Sequence, residues 1–378
     1  MSLRRVLAGL VLLGSAVPAW AQAQAQAVDP SLVASGWQAC AQQTQDASAR
    51  LACYDRWVQA QGQPAEATTS TPAAMPAEPG SKTSASPRPP ECRSGPQSAL
   101  SRYWELEDGS DCGRFNIRGY RPISLSYIHS DTVNRAPSSP TAGHSATSET
   151  PYLINEGRIQ LSVRTKVGQG FLPVSNFGGR DSLWFGYTQQ SYWQLFSGSI
   201  SRPFRTTDHE PEIMYIVPVP TDLPGGWRLR YAGASFNHQS NGQSLPLSRS
   251  WNRAILMAGM EKGERFTVTA RLWNRISDGD EIDDNPEIDQ LIGRGEVTGG
   301  WQVNKDNTLL LTLRHSMTSP ANGSYRLEWL QTLGEANRNG SPSGLRMHVQ
   351  LFNGYGDSLV DYNRGRTVLS IGLSLVDW

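Results

Sequence analysis

Two stretches concentrate the side chains that can do chemistry. The first runs Phe236-Asn237-His238-Gln239-Ser240-Asn241-Gly242-Gln243-Ser244, and the second Ser248-Arg249-Ser250-Trp251-Asn252-Arg253. On an extended strand residues two apart share a face, so His238 and Ser240 project from one side together with Ala234 and Phe236. A serine hydroxyl becomes a useful nucleophile when a base within hydrogen-bond reach takes its proton, and the base works best when a third group fixes its tautomer. His238 is placed to be that base. Asn252 opens the next segment after a short connection, and an antiparallel return would bring its amide oxygen to the other ring nitrogen. An amide orients the ring as a carboxylate does but adds no charge, so an imidazolium is less stabilised than beside an aspartate. Gly242, just past the nucleophile, permits close backbone approach and offers an oxyanion N–H. The chemistry would be acyl transfer through serine. A plainer reading stands beside it, because a His-x-Ser pair at a strand end is common at polar surfaces.

The elements that must position these groups are strands. Beyond about residue 115 the hydrophobic period becomes two, and roughly twelve alternating segments follow, separated by turn residues. Ile159, Leu161 and Val163 alternate with Gln160, Ser162 and Arg164; Phe266, Val268, Ala270 and Leu272 with Thr267, Thr269 and Arg271. Leu309, Leu311 and Leu313 alternate with Thr308, Thr312 and Arg314, and Leu345, Met347, Val349 and Leu351 with Arg346, His348 and Gln350. One face is apolar and the other polar and often charged. A soluble sandwich gives the same period. Three features favour a membrane barrel: an export signal, arginines suited to a wet or networked lumen, and aromatics such as Trp184, Tyr187, Trp193, Tyr325 and Trp329 that recur as interface girdles require. The apolar side carrying His238 and Ser240 would then face lipid. One detail resists: Leu369, Ile371, Leu373 and Leu375 are odd and Trp378 even, so the last turn needs a bulge or a register break.

Ahead of the strands the chain reads as several short parts. Residues 1–21 form a secretory signal, with Arg4 and Arg5, an apolar run from Val6 to Val17, and Ala19-Trp20-Ala21 before the expected cut. Residues 22–61 form a short helical module, with Leu32, Trp37, Cys40, Leu51, Tyr54, Trp57 and Val58 at helical spacing and Asp29 and Asp46 placed as caps. Residues 62–91 are Pro-, Ala-, Ser- and Thr-rich and read as a disordered linker. Residues 92–118 are a lead-in segment, and 119–378 the barrel. The four cysteines, Cys40, Cys53, Cys92 and Cys112, fit two disulfides in an oxidising compartment, with Cys40 to Cys53 and Cys92 to Cys112 favoured; zinc is the rival, without supporting spacing. The stretch Ala136–Thr150 reads as an exposed loop. Lysine plus arginine equals aspartate plus glutamate at 34 each, so no net field or basic stripe favours nucleic acid. No apolar run reaches the roughly 18 residues of a membrane-spanning helix.

The two chemical stretches resemble the active-site region of the outer-membrane phospholipase A family. The resemblance extends through Tyr187-Thr188-Gln189-Gln190-Ser191-Tyr192-Trp193-Gln194-Leu195, Pro203-Phe204-Arg205, Glu210-Pro211, Asp283-Asp284-Asn285-Pro286 and Gly354-Tyr355-Gly356-Asp357-Ser358-Leu359-Val360-Asp361-Tyr362-Asn363, in family order over about residues 120 to 378. Several linked motifs are far more specific than one. The resemblance implies an all-β protein, a twelve-stranded antiparallel transmembrane β-barrel of the bacterial outer membrane. It implies a serine hydrolase of phospholipase A1/A2 and lysophospholipase type, whose Ser-His-Asn triad of Ser240, His238 and Asn252 sits on the outer wall. It also implies dependence on Ca2+ and activation by homodimerisation. Ser201 matches a ligand position given by the partner subunit, Gln243 and Ser248 match ligands after the nucleophile, and Asp284 matches a further acidic contact. Gln243 departs from the family arginine, a tolerable change if the ligand is its carbonyl. Oxygen ligands with few charges suit weak calcium binding.

The bland alternatives are an ordinary loop serine for Ser201 and exposed loop acids for Asp283 and Asp284. Gln189, mid-strand on the apolar side, is costly against lipid and makes more sense paired with its twin in a dimer. Expected partners are membrane phospholipids as substrate, a second copy, and the outer-membrane assembly machinery during biogenesis, with the N-terminal module on the periplasmic side. A passive pore, for which polar lumen residues suffice, and an idle structural barrel whose module binds partners are the rival functions.

Overall fold

The computed structural model describes residues 46–53, 97–107, 110–172, 180–277, 283–334 and 344–375. The chain divides into two units, Met1–Thr83 and Ser84–Trp378. In the first, residues 47–53 are helical, and the Asp46 carboxylate caps them as expected by accepting from the Ser48 and Ala49 N–H groups. The remainder of the expected module, the linker, the signal segment and Trp378 lie outside the described residues. Cys53 and Cys112 each take part in a disulfide; Cys40 and Cys92 lie outside the described residues.

The second unit is a barrel. Its strands are β1 (Arg118–Gly119), β2 (Ile123–Ser130), β3 (Asn155–Gln169), β4 (Ser182–Trp193), β5 (Phe204–Leu223), β6 (Trp227–Ser240) and β7 (Ser250–Lys262). There follow β8 (Phe266–Ile276), β9 (Gly295–Gln302), β10 (Asn307–His315), β11 (Gly323–Thr332), β12 (Leu345–Gly354) and β13 (Arg366–Leu375). Each strand from β2 to β13 pairs antiparallel with the next, and β13 returns to β2 with Leu375 opposite Ile123. The short β1 prolongs the line of β2 along β3, so the closed wall has twelve strands. Closure leaves no unpaired edge, which a bilayer requires because its core offers no water to satisfy backbone groups.

Alternation sorts the side chains as the sequence predicts. Leu125, Ile213, Phe236, Leu256, Leu272 and Ile371 stand 50 to 68% exposed on the outside. Inside, several ions are paired: Arg205 joins Glu156 at 2.7 Å and Asp361 at 2.8 Å, Arg121 joins Glu210 at 2.8 Å, and Arg314 joins Glu296 at 2.7 Å. The helix Ala99–Trp104 fills part of the lumen. Ser98 caps it, Trp104 packs edge-on against Trp184 and Tyr231 with centroids 5.6 and 5.7 Å apart, and the Arg164 guanidinium lies 3.5 Å over the Tyr103 ring. A cavity of about 740 Å3 remains beside it, lined by Arg102, Arg326, Arg346 and Glu328 among others.

The two ends of the barrel differ. At one end three of the five connections are tight turns, residues 224–226, 263–265 and 303–306. At the other end none is tight, the connections running from residues 316–322 up to residues 131–154, and they fold together over the lumen. The stretch Ala136–Thr150, expected to be exposed, is partly buried there. Ser139 Oγ donates to the Asp284 carbonyl at 2.6 Å and Thr141 Oγ1 to the Asp283 carbonyl at 2.5 Å, while Arg249 donates to the His144 carbonyl at 2.8 Å. Its hydroxyls satisfy backbone groups of another loop, which composition alone does not reveal. Beneath them Trp251, Trp273, Ile288, Ile292, Leu359 and Tyr362 form an apolar cluster.

Asp361, in the turn Leu359–Asp361 at this end, carries a pH dependence. Burial would raise its carboxyl, but Arg205 and Arg366 outweigh burial and hold it at about 2, down from 3.8. A depressed carboxyl stabilises the fold above its unfolded value, and that contribution disappears as pH falls through the folded value. Urea unfolding in detergent is expected to show a loss on the order of 2 kcal/mol between about pH 5 and pH 2, flattened by Asp361→Asn.

Candidate active site

The triad candidates are set by one register. β6 and β7 pair His238 with Asn252 and Ser240 with Ser250. His238 Nδ1 lies 2.8 Å from Asn252 Oδ1, the bond expected of an orienting amide. An amide oxygen can only accept, so this contact puts the ring proton on Nδ1 and leaves Nε2 free to act as a base. Ser240 follows two residues on, on the same face, and both side chains are half-buried between the exposed Phe236 and the loop. No hydrogen bond joins Ser240 Oγ to the ring among the described residues. Catalytic bonds are often loose before substrate binds.

The alternate residues of the same strands clamp the site from the lumen. Arg253 bonds to Glu210 Oε1 at 3.1 Å and Gln239 Oε1 at 3.2 Å, and it stacks 4.1 Å over the Trp251 ring. Trp251 Nε1 donates to the same Gln239 oxygen at 2.9 Å. Asn237, fully buried, donates to Glu210 at 3.1 Å. Locked inward neighbours fix the direction of the outward ones, because period two leaves each strand residue no third choice.

The loop after Ser240 is built around Asn241, which sequence reasoning passed over. Its Oδ1 accepts from the N–H groups of Arg249 at 2.9 Å and Gln243 at 3.3 Å, and its Nδ2 donates to the Leu247 carbonyl at 2.7 Å. Gly242 is thereby held at φ +61°, a left-handed conformation that favours glycine. Its N–H makes no hydrogen bond to the described residues, which suits an oxyanion donor.

Asp284 joins the loops around the site. Its Oδ2 accepts from Ser248 Oγ at 2.8 Å and Ser250 Oγ at 3.1 Å, and its Oδ1 meets His144 Nε2 at 2.9 Å. The expected ligands Ser248 and Asp284 are therefore together, and Gln243 lies on the same loop as Ser248. Ser201 is not with them. It stands exposed on the β4–β5 connection at φ +61°. Gln189 faces outward as expected, yet already has partners within the chain, Tyr187 Oη at 3.2 Å and Ser191 Oγ at 3.3 Å. Two histidines escape a reading by spacing, His144 and His209, because the side chains they meet, Asp284 and Tyr187, lie 140 and 22 residues away.

The family model for phospholipase A1 matches residues 100–375. A phospholipase A1 relative in Neisseria meningitidis serogroup B is 38% identical over 283 residues, covering 74% of this chain and 70% of that protein. Among solved structures, outer membrane phospholipase A from Escherichia coli aligns with a TM-score of 0.59 at 27% identity, over 69% of this chain and 94% of that one. The outer membrane phospholipase dimer with bound calcium from Salmonella typhi aligns with a TM-score of 0.60 at 27% identity, over 71% and 94%. With the matched family model spanning the lumenal helix and the whole barrel, the chain belongs to the phospholipase A1 family and is an ester hydrolase built on an outer-membrane β-barrel.

Proposed function

We propose that this phospholipase cleaves acyl esters of glycerophospholipids and their lyso forms with a Ser240-His238-Asn252 triad on the lipid-facing wall, and that it does so as a calcium-dependent homodimer. The observation that carries the reading is the 2.8 Å His238–Asn252 bond on the same outward face as Ser240. In outer-membrane barrels long loops lie outside and tight turns inside, so the site would stand in the outer leaflet, where a lipid can reach it sideways.

Ser240 Oγ attacks the ester carbonyl carbon while its proton passes to His238 Nε2. The Gly242 N–H stabilises the oxygen that gains charge. Collapse breaks the bond to the glycerol oxygen, which takes the proton from His238, leaving acyl-Ser240 and a lyso-lipid. Water, deprotonated by His238, then releases the fatty acid.

The loop residues fit a calcium ion. The hydroxyls of Ser248 and Ser250 meet the Asp284 carboxylate at 2.8 and 3.1 Å, and with the Gln243 carbonyl they offer the hard oxygens calcium takes. Bound there, calcium would polarise the ester carbonyl. The separate loop of Ser201 suits a ligand contributed by a second copy, and the Salmonella typhi relative is a dimer with bound calcium. Gln189 and its Tyr187 and Ser191 neighbours would lie in that dimer interface.

Fatty acid release from mixed micelles, with calcium, tests the triad. Asn252→Ala is expected to lower kcat by roughly 10- to 100-fold, less than loss of the nucleophile, because an orienting group only biases the base. An unchanged kcat would remove Asn252 from the triad. The signal segment 1–21, the disulfide pairs Cys40 to Cys53 and Cys92 to Cys112, and a periplasmic place for module 22–61 are proposed on sequence grounds. Deleting residues 22–91 and measuring the same release separates the module's role from the barrel's.

A further inference from the structure

Ser240 has a second histidine beside it. The β5–β6 register sets His209 directly opposite Ser240, and the β4–β5 register sets Gln189 opposite His209. Asp208 and Glu210, its chain neighbours, are buried toward the lumen, so His209 stands half-buried on the outer wall with the nucleophile. Tyr187 Oη lies 2.7 Å from its Nδ1. The free edge of the ring faces the loop: a Cβ built on Gly242 would sit 3.6 Å from both Cδ2 and Nε2. Nε2 has no hydrogen-bond partner among the described residues. An imidazole on a lipid-facing wall is costly to desolvate, and an aliphatic residue would be cheaper there.

We propose that His209 is a catalytic residue additional to the triad: its Nε2–H donates to the ester carbonyl oxygen as charge develops on it, beside the N–H of Gly242. This rests on Ser240 being the nucleophile. Tyr187 Oη has one proton and two acceptors in reach, Gln189 Oε1 at 3.2 Å and His209 Nδ1 at 2.7 Å; given to the nearer Nδ1, it leaves the neutral ring carrying its own proton on Nε2, the edge toward Gly242. Tyr187 thus acts as a positioning residue that selects the donating tautomer. His238 and His209 flank the serine from two sides, one as base and the other as donor, and each is oriented through its Nδ1 by a different neighbour. A bond that strengthens as the carbonyl becomes an oxyanion raises kcat rather than substrate affinity.

The test compares full-length parent, Ser240→Ala, His209→Leu, His209→Gln and Tyr187→Phe in calcium-containing mixed micelles of dioleoyl phosphatidylcholine, with dimer content followed by crosslinking. For His209→Leu the expected result is a fall in kcat of roughly 10- to 100-fold with KM within about twofold, at unchanged dimer content. His209→Gln keeps an N–H at similar reach and is expected to recover part of the loss, which a purely structural role would not grant. Tyr187→Phe is expected to cost kcat severalfold. An unchanged kcat in His209→Leu, a loss confined to KM, or a loss that tracks dimer content would overturn the proposal. The two failures separate cleanly: an active Ser240→Ala removes the nucleophile assignment, whereas an inactive Ser240→Ala with parental His209→Leu removes only the role of His209.

Discussion

Ser240→Ala is expected to lower fatty acid release by at least about a thousandfold while the barrel stays folded, because removing a nucleophile leaves only the binding and oxyanion contributions. The fold should not notice. Ser240 pairs through its backbone with His209 and Ser250, and its hydroxyl joins none of the hydrogen bonds that hold the loop, which run through Asn241 and Asp284. A surface substitution of this kind stays within about 0.5 kcal/mol. The two halves are measured separately: initial rates in mixed micelles for the chemistry, and the shift in gel mobility between folded and boiled protein for the barrel. A thousandfold loss with unfolding would say nothing of catalysis. Retained activity in a folded barrel would move the nucleophile elsewhere.

Removing calcium is expected to have the second largest effect, a fall of roughly 100-fold or more on adding chelator, restored by calcium added back. The magnitude follows from the site's own poverty of charge. On our proposal the donors for a developing oxyanion around Ser240 are the Gly242 N–H and His209, and Asn252, bonded to His238 as the proposed orienting residue, brings no negative charge to support an imidazolium. Asp284 is the acid at this place, and it already accepts from Ser248 and Ser250 and meets His144. Asp284→Asn should therefore raise the calcium concentration needed for half-maximal activity by about tenfold or more, with less effect on the maximal rate. Isothermal titration with calcium alone reads the same change without turnover. Chelator-insensitive activity would exclude this role for the metal.

The fold was legible because a barrel in a bilayer writes its geometry into every strand. Leu309, Leu311 and Leu313 alternate with Thr312 and Arg314 because one face meets lipid and the other a wet interior, and both conditions act on each residue independently of its neighbours in space. The direction of His238 and Ser240 follows from the same period, and the return of Asn252 follows from the shortness of the connection. What stayed hidden depends on long-range meetings. Asn241 organises a loop through backbone groups, and any loop asparagine looks the same in sequence. His209 owes its interest to a cross-strand register that periodicity does not fix. The stretch Ala136–Thr150 has the composition of an exposed loop, yet Ser139 and Thr141 find the carbonyls of Asp283 and Asp284, so hydroxyls that would have bound water bind another loop instead. Gln189 shows the reverse case: its polarity on the apolar face is visible in the sequence, whereas its bonds to Tyr187 and Ser191, two residues away on the same strand face, depend on side-chain directions that spacing does not give.

The most direct measurement is covalent. A long-chain alkyl fluorophosphonate, presented in detergent with calcium to the refolded protein, reacts with a serine that is activated and reachable from the lipid side; digestion and mass mapping then locate the adduct. A single adduct on Ser240 is expected, its formation slowed by His238→Ala and by chelator. An adduct on another serine, or none on a protein that still releases fatty acid, would contradict it.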